Sequence, residues 1–415
     1  MPITPGVLRT LRERGLVAQV THEDQLADLL DREQVTVYVG FDPTADSLHV
    51  GHLRPIMTLV HLQRAGHRPI ALVGGGTAMI GDPSGRTEAR PILERSIIEQ
   101  NARAFKAQLE HFLDFSNGQA LLLDNAEWLL PLNYIEFLRE IGSQFSVNQM
   151  LTAEAFRSRM ERGLSFIEFN YMLLQAYDFL TLYRRHGCRL QVGGDDQWSN
   201  ILAGADLIRR LERVSAYGLT CPLAVTASGR KMGKTEAGAV WLDPNKTSPY
   251  DFFQFWRSVE DADVPEFLAV YTLLPMDEVR RLSQLKGAAI NQAKKVLAFE
   301  VTRLVHGQEA AEQARAAAEA LFEEQGGLDR AVEGAPVTEV GRDELSGGIA
   351  IPELLVRCGL AGSRSEARRL IAQGGVYLNE VRVGGIDYTV TLGDFKDGRL
   401  LLRKGKKVYH QVLAR

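Results

Sequence analysis

The sequence has few cysteines, little net charge and no long apolar run. Its three cysteines, Cys188, Cys221 and Cys358, stand far apart in 415 residues with no paired spacing. That argues against a disulfide framework and a zinc site, and each reads as a buried small hydrophobe. No apolar run approaches the ~18 residues needed to cross a membrane. The opening MPITPGVLRTLRERG lacks the charged-then-apolar order of a secretory leader, so a cytosolic protein with no membrane partner is expected. No Ser/His/Asp or Cys/His set points to a covalent enzyme intermediate. Internal repeats and low-complexity segments are also missing.

What is present is an ordinary globular composition, 45% apolar and 24% charged, with length enough for two or three domains. The net charge of −4 hides an uneven distribution. Residues 351–415 carry 12 Lys plus Arg against 6 Asp plus Glu, a balance of +6 that leaves −10 for the rest. A basic end piece of that kind suits contact with phosphates.

Between about Val35 and Gly85 the pattern is strand, turn, helix, strand: VTVYVGF, Asp42-Pro43-Thr44, a helix from about Val50 to Arg64, then PIALVGGG. Apolar strands alternating with helices predict a parallel sheet covered on both faces, with ligands at the carboxyl ends of its strands. Helices are expected around Ser96–Phe115 and Pro131–Ile141, in a segment that reads as an insertion able to carry subunit contacts. NYMLLQAYDFLTLYRRHG then leads to the strand CRLQVGG. Residues from about Ser248 to Glu324 are strongly helical, and GGLDRAVEGAPVTEVGRDELSGG reads as a linker before the basic end domain.

Four constellations carry candidate chemistry. In FDPTADSLHVGHL, His49 and His52 stand three apart at the start of a helix, where backbone NH groups and the dipole favour an anion. Two histidines so spaced also cap and pack helices, and a metal pair would want a third ligand that is not close by. Gly51 between them would let a flat adenine approach the backbone. GGGTAMIGDPSGR could be a long turn, but Asp82, Arg86 and Arg90 add charge of both signs beside the same site.

The third is KMGKT, Lys231 to Thr235, whose Lys231 and Lys234 could close on a pyrophosphate as its charge develops. A P-loop is rejected, because the required glycine would fall at Ser228, and EAGAVWLDP is a poor helix. The fourth joins NYMLLQAYDF to QVGGDDQWSN. Tyr171, Gln175 and Asp178 lie on one helix face, with Asp196 and Gln197 arriving at a strand end. A satisfied core helix would also accommodate them singly; as a set they suggest a polar-headed pocket, in which Asp178 needs a partner.

Together HVGH, KMGKT and the polar pocket resemble the tyrosyl-tRNA synthetases, class I enzymes with HIGH and KMSKS signatures, over nearly the whole chain. The resemblance implies an α/β fold: a Rossmann-type parallel-sheet catalytic domain with a helical insertion, an all-helical anticodon-recognising domain, and a small α+β S4-like RNA-binding domain. The matching bounds are 1–228, a KMSKS-type loop at 229–246, helices at 247–325, a linker at 326–349, and 350–415. It implies L-tyrosine, ATP as its magnesium complex and tRNA(Tyr) as partners, a homodimer, and no resident metal.

By the same resemblance Tyr38 and Asp178 hold the substrate hydroxyl, while Tyr171, Gln175 and Asp82 hold its amino group. Gly40, Asp42, Gly51, Gly194, Asp196 and Gln197 line the adenylate site. Thr44, His49, His52, Lys231, Lys234 and Thr235 stabilise the phosphates, with Arg86 and Arg90 of similar duty. Val39 and Pro55 depart from residues found in some members, beside the adenylate. Arg364, Arg368 and Arg369, in GLAGSRSEARRLIAQGGVYLNEVRV, match an S4-like basic helix, although a solvated helix has the same pattern. Tryptophanyl-tRNA synthetases share the fold and both signatures but usually lack the S4-like tail. An inactive RNA-binding relative would not need the lysines of KMGKT, and another adenylyl transferase with an HxGH site would leave the helical and S4-like domains unexplained.

Overall fold

A computed structural model describes residues 3–84, 93–153, 156, 160, 163–229, 232–235, 238–320, 335–379, 381–396, 398–405 and 408–415, with only the backbone described at 234, 235 and 320. The chain divides into two compact units: residues 1–243 with 260–293, and residues 244–259 with 294–415.

The first unit is built on five strands, β1 (Thr36–Phe41), β2 (Arg68–Val73), β3 (Leu121–Asp124), β4 (Cys188–Gly194) and β5 (Tyr217–Cys221). Their order is β3-β2-β1-β4-β5 and every pairing is parallel. Val37, Val39, Ile70, Leu72, Leu190 and Val192 are all buried, as continuous apolar runs demand when both faces of a sheet are covered. The chain leaves β1 toward β2 on one side and toward β4 on the other, so the switch point lies at the carboxyl ends of β1 and β4.

Helix Leu53–Arg64 carries the chain from β1 to β2. The 21-residue helix Phe166–His186 runs into β4; Ser165 and Glu168 form a reciprocal capping box at its start, and Arg184, Arg185 and His186 sit in its last turn. Both devices satisfy end groups that the helix itself leaves open. Helices Val264–Tyr271 and Met276–Ser283 belong to this unit too. Arg14 is buried against the first of them, donating from Nη1 to the Ala269 and Thr272 carbonyls at 2.9 Å each. Arg54, also buried, donates from Nη2 to Glu266 at 2.6 Å.

The second unit holds helices Pro249–Arg257 and Gln308–Ala320, most of Ile290–His306, and a five-stranded sheet. In that sheet Val408–Ala414 pairs antiparallel with Arg399–Lys404 and parallel with Val337–Val340. Helices Ile351–Arg357 and Arg364–Ala372 close its core with Leu354, Leu355, Ala367, Leu400 and Val412.

Two boundaries differ from the sequence expectation. The 326–349 linker contains the strand Val337–Val340 and helix Arg342–Gly347, with Val340 and Leu345 in the core. Their three apolar residues, Val337, Val340 and Leu345, are diluted by glycine and acid, and the strand pairs with a partner some seventy residues away. The stretch 247–325 is helical but split, since residues 260–293 belong with the parallel sheet. All three cysteines are buried. Among the described residues no helix is long and apolar enough to cross a membrane.

Candidate active site

A cleft of about 530 Å³ opens at the carboxyl ends of β1 and β4, where the strand order predicts a ligand site. Tyr38, Gly40, Asp42, Thr44, His49, Gly51, His52, Asp82, Tyr171, Gln175, Asp178, Gly194, Asp196 and Gln197 all line it, as do Arg54 and Pro55. A larger groove of about 660 Å³ elsewhere on this unit includes none of these residues. The cleft, with its convergent polar groups, is the better chemical candidate.

The floor of the cleft is closed by Tyr38 and Asp178, 1% and 2% exposed. Asp178 is held from both sides: Trp128 Nε1 donates to Oδ1 at 2.7 Å, and Asn125 Nδ2 donates to Oδ2 at 2.9 Å. Burial nevertheless pushes its carboxyl up to about 7, against the pull of those two bonds. Tyr38 packs against Phe179 with ring centroids 5.3 Å apart and tilted by 58°; burial first, then the neighbouring Asp178, pushes its phenol well above the usual range. Among the described residues neither the Tyr38 hydroxyl nor Gln191 Oε1 has a hydrogen-bond partner. Gln191 stands opposite Tyr38 in the β1–β4 register. Buried polar atoms left open in this way are costly, and they mark where a ligand's polar group belongs.

Above the floor a bonded mesh fixes the remaining groups. Asp42 accepts from Thr77 Oγ1 at 2.8 Å and from the Tyr171 hydroxyl at 3.0 Å. Asp82 accepts from Gln197 Nε2 at 2.8 Å, and Asn200 Nδ2 donates to Gln175 Oε1 at 3.1 Å. The glycine run has a steric reason: a Cβ at Gly74 would come 2.1 Å from Asp42 Oδ1. Sequence reasoning passed over Asn125, Trp128, Gln191, Thr77 and Asn200. Thr77, Asn200 and Gln191 stand inside stretches the sequence singles out, GGGTAMIGDPSGR, QVGGDDQWSN and CRLQVGG; Asn125 and Trp128 are joined to the site by contacts distant in sequence.

At the other end, His49 caps the short turn Val50–His52 that leads into helix Leu53–Arg64. His49 Nδ1 accepts from Gly51 N at 3.0 Å, and His52 Nδ1 accepts from His49 N at 3.1 Å. Both rings therefore accept at Nδ1, which places the imidazole proton of each neutral ring on Nε2 as a donor. A Cβ at Gly51 would lie 2.7 Å from His49 Cε1, so the glycine makes room for the His49 ring.

Lys231, Arg86 and Arg90 lie outside the described residues, and at Lys234 and Thr235 only the backbone is described, as a short strand paired with Gly238–Ala239. Ala227, just before this loop, donates its N–H to Asp263 at 2.6 Å. Arg364, Arg368 and Arg369 are not in the cleft but exposed on helix Arg364–Ala372 of the second unit, where Arg364 pairs with Glu353 at 2.9 Å. Among the described residues no group of three or more His, Cys, Asp or Glu could hold a metal.

A family model for class I tRNA synthetases (W and Y) matches residues 30–323, and one for the tyrosine–tRNA ligase SYY-like C-terminal domain matches 328–412. The tyrosine–tRNA ligase of Acetivibrio thermocellus is 58% identical over 407 residues, covering 98% of this chain and 99% of its own. That of Caldanaerobacter subterraneus subsp. tengcongensis is 59% identical over 410 residues, covering 99% and 100%. Among solved structures, the C-terminally truncated mitochondrial tyrosyl-tRNA synthetase of Aspergillus nidulans aligns with a TM-score of 0.70 at 30% identity, over 77% of this chain and 95% of that one.

Proposed function

This chain belongs to the class I tRNA synthetases of the tryptophan and tyrosine group, and we infer from that membership that it activates L-tyrosine with ATP and esterifies the 3′ end of tRNA(Tyr). The observation that carries the choice of amino acid is the cleft floor, where a buried carboxylate and a buried, unpartnered phenol face one another. A tyrosine hydroxyl donating to Asp178 and accepting from Tyr38 would complete both. Phenylalanine would leave the Tyr38 hydroxyl open and offer Asp178 no further donor, which is how a site built around a hydroxyl rejects the analogue lacking it.

The substrate's carboxylate is the nucleophile. It attacks the α-phosphorus of ATP in line; the bond to the bridging oxygen breaks, pyrophosphate leaves with the electron pair, and tyrosyl-adenylate remains. A ribose hydroxyl of tRNA then attacks the acyl carbon, and AMP departs. Tyr171, Gln175 and Asp82 hold the ammonium group. Gly40, Asp42, Gly51, Gly194, Asp196 and Gln197 border the adenylate, with Val39 and Pro55 beside it. Thr44 and the Nε2–H donors of His49 and His52 face the phosphates, joined by Lys231, Lys234, Thr235, Arg86 and Arg90. Catalysis on this reading comes from positioning and from charge placed where the transition state develops it. Magnesium enters as the partner of ATP.

Arg364, Arg368 and Arg369 contact tRNA phosphates in this proposal, and the helices at 247–325 read the anticodon. A homodimer is supported by the apolar residues exposed between β3 and β4 and at the next helix start, among them Ile135, Val147 and Phe166. The working place is the cytoplasm, where tRNA and ATP are met.

The test is ATP–pyrophosphate exchange by the purified chain without tRNA, driven separately by tyrosine, tryptophan and phenylalanine. Exchange with tyrosine alone is expected. Exchange with tryptophan would reassign the pocket, and none with any amino acid would leave an RNA-binding protein.

A further inference from the structure

HVGH and KMGKT are tied to one another through their backbones. The Val50 N–H donates to the Val240 carbonyl at 3.0 Å, the Leu242 N–H donates to the Leu48 carbonyl at 2.8 Å, and His49 bridges Trp241. The Val240 N–H in turn donates to the Gly233 carbonyl at 2.9 Å, while buried Met232 donates its N–H to Ala224 at 2.8 Å. The backbone of one motif is thus a single residue removed from that of the other.

Gly233 is the point where the two meet. Its φ is +76°, and a Cβ built on it would lie 2.1 Å from Val50 Cγ2 and 3.9 Å from the Gly51 nitrogen. Val50 is itself fully buried and has no room to retreat. The family signature has serine at this position, KMSKS, where this chain has KMGKT. A side chain at 233 would meet Val50 and would also sit at a φ that L side chains rarely adopt.

We propose that Gly233 and Val50 are interlocking positioning residues that seat KMGKT directly on HVGH and hold the two motifs in register for attack at the α-phosphate. The proposal rests on the reading above, in which both motifs face the phosphates of ATP. Lys234 follows Gly233 directly in the chain, so displacing this turn displaces the Lys234 backbone.

The test uses the full-length chain and three variants: Gly233→Ala, Val50→Ala, and the two combined. Gly233→Ala is expected to lower kcat for tyrosine-dependent pyrophosphate exchange by ~10–100-fold, the scale of a small misplacement of stabilising groups. Tyrosine affinity by equilibrium dialysis should stay unchanged, which also shows that the variant is folded. Val50→Ala alone should cost far less. In the combined variant the added methyl has space although its positive φ stays strained, and exchange should recover at least ~5-fold over Gly233→Ala, the part of the misplacement due to Val50 being undone. Wild-type exchange by Gly233→Ala, or no recovery in the combined variant, overturns the interlock. A wild-type chain that exchanges with no amino acid would overturn the reading beneath it instead.

Discussion

The two ends of the cleft are built differently. At the floor, Tyr38, Asp178, Trp128 and Gln191 stand on strands and helices and are buried, with Asp178 bonded to Trp128. At the phosphate end, His49, Thr44, Met232 and Gly233 stand outside the regular strands and long helices, and glycines allow the close approaches. Discrimination needs a pocket that is complete before the substrate arrives, since its penalty falls on whatever leaves buried groups open. Stabilising a charge that exists only in the transition state needs groups aimed at where that charge will be, and turns at strand ends carry such groups at the rim of a parallel sheet.

The comparison predicts that damage at the floor alters selectivity and damage at the phosphate end alters rate. The largest effect is expected from Asp178→Ala. Roughly 10⁵-fold rejection of phenylalanine is the standing benchmark for tyrosine-specific synthetases rather than a value derived from this cleft; kcat/KM ratios for the two amino acids should show most of it gone. Full discrimination by the variant would break the assignment of the floor.

Next in size is His49→Ala, for which exchange should slow by ~10²–10³ while the tyrosine Kd holds, the behaviour of a lost preorganised donor. A matching loss of tyrosine binding would erase the contrast between the ends. Trp128→Phe removes one donor to Asp178 and should raise the KM for tyrosine by ~10-fold, about 1–2 kcal/mol, with kcat little changed.

The last effect is a pH dependence, read on stability rather than on rate or selectivity. Asp178 titrates at about 7 in the folded chain, against about 4 for an ordinary aspartate. The folded chain therefore binds more protons than the unfolded one between about pH 4 and 7, so this residue makes stability fall as pH rises through that window and level off above it. Urea midpoints measured from pH 5 to 8 should show the decline in the wild type and lose this component in Asp178→Asn.

Much of this was legible in the sequence, for identifiable reasons. The βαβ pattern from Val35 and the spacing of Tyr171, Gln175 and Asp178 are local periodicities, and all three side chains line the cleft as their common face predicts. Asn125 and Trp128 were not legible, because what makes them part of the site is Asp178, some fifty residues later. The histidines were recognisable as a pair, but not the reciprocal bonding that sets their tautomers. The strand Val337–Val340 reads as linker in the sequence because its pairing is with Val408–Ala414 and nothing nearby announces it.

The division of the first unit between residues 1–243 and 260–293 has a bearing on how such a chain can be cut or recombined. The polypeptide passes between its two units three times, at 243/244, 259/260 and 293/294. No single crossover can therefore exchange one unit for a homologue's and leave the other whole. A fragment ending at 243 would carry all five parallel strands yet strand two buried guanidinium groups, Arg14 and Arg54, whose acceptors Ala269, Thr272 and Glu266 lie beyond the cut. Inheritance of this architecture is constrained to act on both units at once.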